Sequence, residues 1–343
     1  MKTKIIVIIF LFVQTFVFGQ KQFFVANYNL QNLFDTINDP NKNDEEFLPD
    51  GSKKWTNERL NKKLYNLSRA IRYMNNIQGP DLLGVEEVEH RSVLDTMINR
   101  YFCDKNYKVA YLESPDKRGI DAGLIYNANI FTPLSMKGLK VELPSHYPTR
   151  LILQVHFKMR SGDSIYVFVN HWPSRRGGSK KSAINRITAA KVLKTAVAKL
   201  QTSNPNVKII IIGDFNDEPY NTSIAETLGA KLYNPETDTK ISEHTLYNLA
   251  AQSYQNGKGT FLYRAQWNML DQIIINGNLM DGGKINYRSN SFRIINPYFI
   301  RTHSGKYKGA SFPTYGGWKY LGGYSDHFAV GALFNIKFHN KNN

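Results

Sequence analysis

The sequence has few of the residues that crosslink a chain or chelate a metal. Cys103 is the only cysteine among 343 residues, so an internal disulfide is excluded and the fold must depend on its core. One cysteine and eight scattered histidines also argue against a dedicated zinc site. No Pro/Ser linker, low-complexity run or internal repeat marks a boundary, so we expect one domain over residues 20–343.

Long apolar runs are also missing, except at the N-terminus. Residues 1–4 are basic, residues 5–18 are almost wholly apolar, and Gly19 precedes a polar stretch. This is the layout of a secretory signal peptide, and its apolar core is shorter than the ~20 residues that a membrane anchor needs. We predict a signal peptide over residues 1–19, export to the periplasm or the medium, and no membrane span in the mature protein.

Acidic residues are too few to balance the basic ones. The chain has 44 Lys and Arg against 28 Asp and Glu, a formal charge of +16, and removal of Lys2 and Lys4 with the signal peptide leaves +14. Such a balance favours polyanionic partners such as nucleic acid, anionic lipid headgroups or acidic polymers. The alternative is a basic exported protein that is simply soluble or associated with the cell surface.

Hydrophobic patterns predict a layered α/β sandwich, with helices outside packed sheets. Residues 57–78 and 185–200 carry apolar side chains at spacings of three and four, which indicates helices. Residues 284–323 are rich in Tyr, Gly, Lys and Arg without a clear period, which is typical of an irregular loop. Short strand-like runs cover residues 22–28, 82–85, 122–126, 151–157, 164–170, 208–212, 272–275 and 328–334.

An acid and an amide, Asp214 and Asn216, follow the apolar run 207–212. They are two residues apart, so an extended backbone directs both to the same side. Such a pair can orient a water molecule and hold an anionic oxygen, although an ordinary turn at a strand end has the same composition. Six further polar residues lie at predicted strand ends, namely Asn29, Glu87, His171, Asp271, Asp326 and His327.

Together these residues lie in six ordered motifs that resemble those of the endonuclease/exonuclease/phosphatase superfamily. The motifs are residues 28–35 (YNLQNLFD), 85–88 (VEEV), 170–174 (NHWPS), 213–217 (GDFND), 270–273 (LDQI) and 325–327 (SDH). The resemblance covers nearly the whole mature chain. It implies a four-layer α/β/β/α sandwich of the DNase-like type, with the site at one edge, and Mg²⁺ or Mn²⁺ as the cofactor. Oxygen donors agree with such hard cations.

The resemblance also implies a role for each residue. Glu87 is the principal metal carboxylate, and Asn29 and Asp326 help to hold the metal or its waters. Asp214 activates the attacking water and Asn216 hydrogen-bonds the phosphate.

The two histidines complete the implied site. His327 contacts the phosphate while Asp271 fixes its tautomer and favours the imidazolium. His171 is a second phosphate contact and a candidate acid for the leaving group.

Basic residues beside these motifs extend the expected site. Arg118 and Asp121 lie in a stretch that resembles a family motif bordering the cleft, so Arg118 is expected to contact phosphate and Asp121 a site histidine. The alternative is a salt-bridged turn. Arg175 and Arg176 form a basic loop after His171 and are predicted to bind substrate, with a solvated surface loop as the alternative.

The favoured function is an exported, monomeric nuclease that acts on DNA or RNA, and the resemblance implies products with a 5′-phosphate and a 3′-hydroxyl. Positive charge and the mixture of cations and rings in residues 288–324 favour nucleic acid, although those rings can equally pack the segment onto the domain. Alternatives are a phosphomonoesterase, a lipid or inositol phosphodiesterase on the same site, and a non-catalytic protein that binds polyanions.

Overall fold

The computed structural model describes residues 21–280 and 282–337. The predicted signal peptide, residues 1–19, lies outside the described residues. No helix in these two ranges is long and apolar enough to cross a membrane. The α-helices are α1 (Asn57–Tyr73), α2 (Arg91–Tyr101), α3 (Ser179–Ser203) and α4 (Ala251–Gln255).

Two large sheets contain most of the strands. The first has the order β14-β18-β1-β2-β4-β3, with β15 also paired to β18, and the second has the order β5-β6-β7-β8-β13-β10-β9. The strands in chain order are β1 (Lys21–Leu33), β2 (Leu82–Val88), β3 (Tyr107–Tyr111), β4 (Asp121–Asn127), β5 (Phe131–Leu139), β6 (Ile152–Met159), β7 (Ser164–His171), β8 (Ile209–Asp214), β9 (Ala230–Leu232), β10 (Leu246–Asn248), β11 (Phe261–Tyr263), β12 (Gln266–Asn268), β13 (Asp271–Asn276), β14 (Ile285–Tyr287), β15 (Arg293–Ile295), β16 (Tyr315–Gly316), β17 (Lys319–Tyr320) and β18 (Ala329–Ile336).

Alternating side chains give each sheet an inner and an outer face. Ile210 and Ile212 of β8 join Val25 of β1 in the core between the two sheets. Ile209 and Ile211 face the other way and pack against α3, while α1 and α2 cover the outer face of the first sheet. The order helix, sheet, sheet, helix confirms the predicted four-layer α/β/β/α sandwich.

Polar residues reach one edge of this sandwich because of strand direction. β1 runs parallel to β2, and β7 runs parallel to β8, so their carboxyl ends lie side by side. His171 at the end of β7 is paired in register with Asp214 at the end of β8. Asp214 is in turn paired with Asp271, the first residue of antiparallel β13. Topology therefore brings residues that are far apart in sequence to neighbouring positions.

The predicted strands all overlap observed ones, and both predicted helices are present. Helix α1 begins after the Thr56 N-cap and ends at Tyr73, because Asn75 and Asn76 have φ of +52° and cannot continue it. Residues 284–323 are irregular apart from short strands and a helical turn, as predicted. Helices α2 and α4 and strands β3 and β5 are among the elements that were not predicted. Most of β5 is exposed, so it lacks an apolar signature.

Gly213 fixes how closely β7 approaches β8. Its φ is +153°, and a Cβ built there would lie 2.1 Å from the Asn170 carbonyl oxygen. We expect Gly213→Ala to lower the free energy of unfolding by about 2–4 kcal/mol, because the backbone at residue 213 or the neighbouring strand β7 must shift to make room for the methyl group. Urea unfolding measures this, with Gly162→Ala as the control, because nothing lies within 4 Å of a Cβ at that glycine. Equal losses in the two variants would contradict the steric argument.

Candidate active site

Asp214 is held at the end of β8 by amide groups. Its Oδ1 accepts from the Asn216 backbone N at 2.9 Å, and its Oδ2 accepts from Asn29 Nδ2 at 3.1 Å. Burial raises the pKa of Asp214 to about 6, although the charge of His327 opposes the rise. A fixed carboxylate that titrates near neutral pH is suited to accept a proton.

Asn216 occupies a tight turn beside this carboxylate. Its φ is +51°, a left-handed conformation that asparagine tolerates. Its Nδ2 donates to the Trp172 carbonyl at 3.0 Å and approaches Asp214 Oδ2 at 3.4 Å. Asn216 therefore braces Asp214 in this state, and the predicted phosphate contact requires its amide to leave one of these partners.

His327 and Asp271 form a buried ion pair. His327 Nδ1 lies 2.7 Å from Asp271 Oδ2, and Asp271 is fully buried. Burial by itself lowers the pKa of His327, but the carboxylates of Asp271 and Asp214 hold that pKa well above its usual value. The imidazole is therefore charged at neutral pH. Its Nδ1 is committed to Asp271, which leaves Nε2 for a substrate oxygen.

The electrostatic environment of His171 favours a neutral imidazole, unlike that of His327. Its Nε2 lies 3.8 Å from Asp214 Oδ2 and 3.9 Å from Glu87 Oε1. Burial, and then the guanidinium groups of Arg150 and Arg118, lower the pKa of His171 well below its usual value. A neutral imidazole can hydrogen-bond a phosphate oxygen but is a poor acid for a leaving group. Of the two roles expected for His171, this setting favours the phosphate contact.

The predicted metal residues supply oxygen donors at the same edge. Strand β2 has a bulge at Glu87, whose φ is +61°, and bulges commonly redirect side chains beside active sites. Glu87 Oε2 accepts from the Asn32 backbone N at 2.9 Å. Burial raises the pKa of Asp326, and the charge of Glu87 adds to that rise. Two mutually repelling carboxylates and the Asn29 amide form a donor set that fits a hard divalent cation.

Two buried ionisable residues near the site were not predicted. Glu86 Oε2 accepts from Asn27 Nδ2 at 3.2 Å, and burial raises the pKa of Glu86 well above its usual value. Lys63 of α1 donates to the Gln31 carbonyl and to Thr314 Oγ1, each at 2.6 Å. Burial lowers the pKa of Lys63 to about 7. Lys63 thereby ties the end of β1 to the loop that precedes the Asp326 region.

A separate group of potential ligands lies just beyond β1 and β2. Ligand atoms of Asp35, Glu89 and His90 all lie within 4.8 Å of one another. His90 Nδ1, however, lies 3.1 Å from Glu113 Oε1, and that contact raises the pKa of His90 to about 9. A protonated imidazole does not bind a metal. This group differs from the metal residues predicted from the sequence, although Asp35 is the last residue of the motif 28–35.

Asp121 is placed differently from its predicted role. It is 1% exposed, and its two oxygens accept from the Tyr111 hydroxyl at 2.7 Å and the Ser114 backbone N at 2.8 Å. Asp121 is therefore a buried structural residue, not a substrate-binding one. Arg118 remains 47% exposed, with its Nε 3.7 Å from Asp116 Oδ1, so it is free to meet a ligand.

The two arginines of the predicted basic loop have different settings. Arg175 donates to the Asn216 carbonyl at 2.7 Å, to Asn268 Oδ1 at 3.0 Å and to Asn221 Oδ1 at 3.2 Å. These bonds use three of its five N–H groups, so Arg175 positions the Asn216 turn. It also lines the cavity beside the loop, and its predicted substrate contact stays a prediction. Arg176 borders open cavities on two sides of the loop, as a substrate-binding residue would.

The aromatic segment 288–324 is divided between packing and exposure. The Tyr315 ring packs against Trp55 at 6.0 Å, and the Arg293 guanidinium lies 5.0 Å from the Phe24 ring centre. Trp318 and Tyr298 remain largely exposed. Part of this segment therefore packs onto the domain, and nucleic-acid binding by its exposed rings stays a prediction.

Comparisons with known proteins agree with the motif order. A family model described as the Endonuclease/Exonuclease/phosphatase family matches residues 24–336. A comparison with curated protein sequences finds no match.

Solved structures share the fold at low identity. An endonuclease/exonuclease/phosphatase family protein from Bacteroides thetaiotaomicron is 16% identical with a TM-score of 0.56, covering 94% of this chain and 98% of its own. D. rerio TDP2 complexed with a single-strand DNA product is 14% identical with a TM-score of 0.55, covering 92% and 99%. A B. thetaiotaomicron mannosyl-6-phosphatase is 15% identical with a TM-score of 0.55, covering 91% and 99%.

Proposed function

This chain belongs to the endonuclease/exonuclease/phosphatase family, and from its site we propose that it is a Mg²⁺- or Mn²⁺-dependent phosphodiesterase that cleaves nucleic acid. One observation carries the proposal. A carboxylate of pKa about 6, Asp214, lies beside an imidazolium, His327, that the buried Asp271 holds in its charged form. This combination places a proton acceptor next to a cation that can stabilise a phosphate.

The chain's own residues account for proton movement and charge. Asp214 takes a proton from water as the water oxygen bonds to phosphorus, and the bond from phosphorus to the ester oxygen breaks. The departing oxygen takes a proton from solvent. His327 Nε2 and the neutral His171 hydrogen-bond the non-bridging oxygens, whose charge grows in the transition state. The resemblance to the family's nucleases implies products with a 5′-phosphate and a 3′-hydroxyl.

Glu87, Asp326 and Asn29 are the residues that would hold a divalent cation. When bound, the cation would polarise a phosphoryl oxygen and offset charge on the leaving oxygen. Lys63, which donates to the Gln31 carbonyl at 2.6 Å, would fix the backbone on which Asn29 is carried.

Nucleic acid is the proposed substrate because cations and rings border the site. A cavity of about 660 Å³ is lined by Arg176, Arg264, Phe261 and Tyr263, among others. Guanidinium groups neutralise backbone phosphates, and exposed rings stack on bases. The net charge of +16 also favours a polyanionic substrate such as nucleic acid. The TDP2 structure with a single-strand DNA product shares this fold, which makes DNA a natural first substrate to test.

A substrate panel tests the proposed function. Supercoiled plasmid, single-stranded DNA, RNA, sphingomyelin and small phosphomonoesters are incubated with Mg²⁺, with and without EDTA. We expect nicking of plasmid or single strands that EDTA abolishes and that falls steeply with salt. Release of phosphate only from monoesters would replace the nuclease with a phosphatase. Binding of DNA without hydrolysis of any ester would replace the enzyme with a polyanion-binding protein.

Glu87→Gln is expected to raise the Mg²⁺ concentration that gives half-maximal activity by roughly 10- to 100-fold, because a ligand charge is lost. Titration of activity against Mg²⁺ measures this. Glu58→Gln removes the same charge from an exposed position of α1 and serves as the control. A Glu87→Gln titration curve that coincides with the control would remove Glu87 from the metal site.

We also propose export, based on the N-terminal layout of residues 1–20. Expression with this segment, followed by mass spectrometry of secreted and cellular fractions, tests it. A mature N-terminus close to Gln20 outside the cytoplasm is expected. Retention of the full chain inside the cell would contradict export without affecting the chemistry.

A further inference from the structure

A second cavity lies on the other side of Arg176 from the one described above. Its volume is about 490 Å³. Three arginines, Arg118, Arg150 and Arg176, line it together with Thr149, Ser174 and Tyr147. The only acid among its lining residues is Asp116. The cavity is therefore cationic by two charges, with hydroxyl groups between the arginines.

Two buried polar atoms of residues that line this cavity have no hydrogen-bond partner within the described ranges. Arg150 is 7% exposed and Thr149 is 4% exposed. Within residues 21–280 and 282–337, Arg150 Nε and Thr149 Oγ1 are buried atoms without a hydrogen-bond partner. Buried polar groups are nearly always paired, and each exception needs an explanation. An anionic ligand would give these groups the acceptor that the protein does not supply.

Contacts of Arg150 connect the cavity to the catalytic edge. Arg150 Nη1 donates to Asp116 Oδ2 at 3.1 Å, and Arg150 Nη2 donates to the Trp172 carbonyl at 2.7 Å. The same carbonyl accepts from Asn216 Nδ2 at 3.0 Å. One backbone oxygen thus links the cavity to the turn that braces Asp214. A ligand here would lie against the active site, not at a remote surface.

We propose that this cavity, built from Arg118, Thr149, Arg150 and Arg176, binds a second phosphate group of the substrate, adjacent to the phosphodiester that is cleaved. The proposal rests on the proposed function and adds the requirement that the substrate carry a second phosphate group. Guanidinium groups bind phosphate through charge-assisted hydrogen bonds, frequently bidentate. Tyr147 is exposed at the same cavity and offers a ring beside the phosphate. A polynucleotide supplies a phosphate and a base together, whereas a sugar monophosphate supplies neither at this position.

Nucleotide pairs that differ only in a second phosphate test the subsite. Calorimetry compares thymidine 3′,5′-bisphosphate with the 5′- and 3′-monophosphates in Mg²⁺. Turnover is measured on the p-nitrophenyl esters of thymidine 5′-phosphate and of thymidine 3′-phosphate. Each ester is compared with and without a phosphate on the other hydroxyl group. We expect the second phosphate to improve binding, and kcat/KM for at least one isomer, by about ten-fold or more. In Arg118→Gln/Arg176→Gln this advantage should shrink to about two-fold or less.

Controls separate charge, folding and catalysis. Arg160→Gln removes the same charge from an exposed position at the far end of β6 and should keep the advantage. Arg118 and Arg176 are exposed, so the arginine variants should fold. The Thr149→Val variant removes the Thr149 hydroxyl group at nearly constant side-chain volume and tests its part in phosphate binding. Equal binding of bisphosphate and monophosphates by the wild type overturns the subsite, even if the esters are hydrolysed. Failure to hydrolyse any ester overturns the proposed function, while the binding comparison still decides the subsite.

Inorganic phosphate distinguishes a free anion from a substrate group. In one outcome, inorganic phosphate binds to the wild type but not to the double variant, and the wild type binds the bisphosphate and the monophosphates equally. The cavity then serves a free anion, and the substrate proposal is overturned. If it competes with the bisphosphate and removes its advantage over the monophosphates, the proposal is supported.

Discussion

Asp214→Asn is expected to lower kcat on a phosphodiester by about 10³- to 10⁴-fold, with a much smaller change in KM. Asparagine keeps the shape of the side chain and can still accept from the Asn216 backbone N, but it cannot take a proton. In the wild type, Asp214 has a pKa of about 6 and is therefore the group that ionises as pH rises toward neutrality. Wild-type kcat/KM should therefore fall below about pH 6, and that limb should be absent from the residual activity of the variant.

Steady-state kinetics on the best substrate of the panel measures both quantities. Asp95→Asn, an exposed aspartate of α2, is the matched control and should retain wild-type rates. Thermal melting confirms that each variant is folded. Retention of more than about a tenth of wild-type kcat in Asp214→Asn would assign the proton to another acceptor.

Asp271→Asn is expected to lower kcat/KM by roughly 10²- to 10⁴-fold and to change the alkaline side of the pH profile. Against the lowering effect of burial, the Asp271 carboxylate is the largest influence that raises the pKa of His327. Without that charge the pKa of His327 falls, so the imidazolium is lost at a lower pH. The alkaline limb should move toward neutrality and narrow the profile.

The direction of that shift decides the role of His327. If His327 stabilises phosphate as a cation, the activity left in Asp271→Asn declines as pH rises through the histidine pKa. If His327 is the base, that activity increases over the same range. Asp81→Asn is a suitable control, because Asp81 binds Asn127 and the Phe24 backbone N away from the histidine.

The positions of most central strands, and the polar residues at their ends, could be predicted because buried strands leave a clear apolar signature, whereas their order in the two sheets could not. The run 208–212 became β8 (Ile209–Asp214), and the motif after it supplied Asp214 at the expected edge. Asp121 was misassigned for a physical reason. Its motif fixes its place along the chain, but the Tyr111 hydroxyl and the Ser114 backbone N that occupy its two oxygens depend on how β4 pairs with β3.

Lys63 and Glu86 show the other limit of sequence patterns. Lys63 lies on the buried face of α1 with Leu64 and Leu67, so a cation within an apolar stripe was the available signal. Glu86 and Glu87 are adjacent, and alternation would direct only one of them to the site. The bulge at Glu87 that settles their placement depends on the β1 and β4 partners of β2, which local sequence does not encode.

The pairing of β1 with β18 has a consequence for when the enzyme becomes active during its synthesis. Phe23 of the first strand is in register with Phe334 of the last, and β18 follows directly after His327. Contacts that span almost the whole chain form late, because loop closure precedes any gain from them. The first sheet, and the site edge that includes His327, are therefore incomplete until residues up to 336 have left the ribosome. Until then the proposed phosphodiesterase has no complete active site.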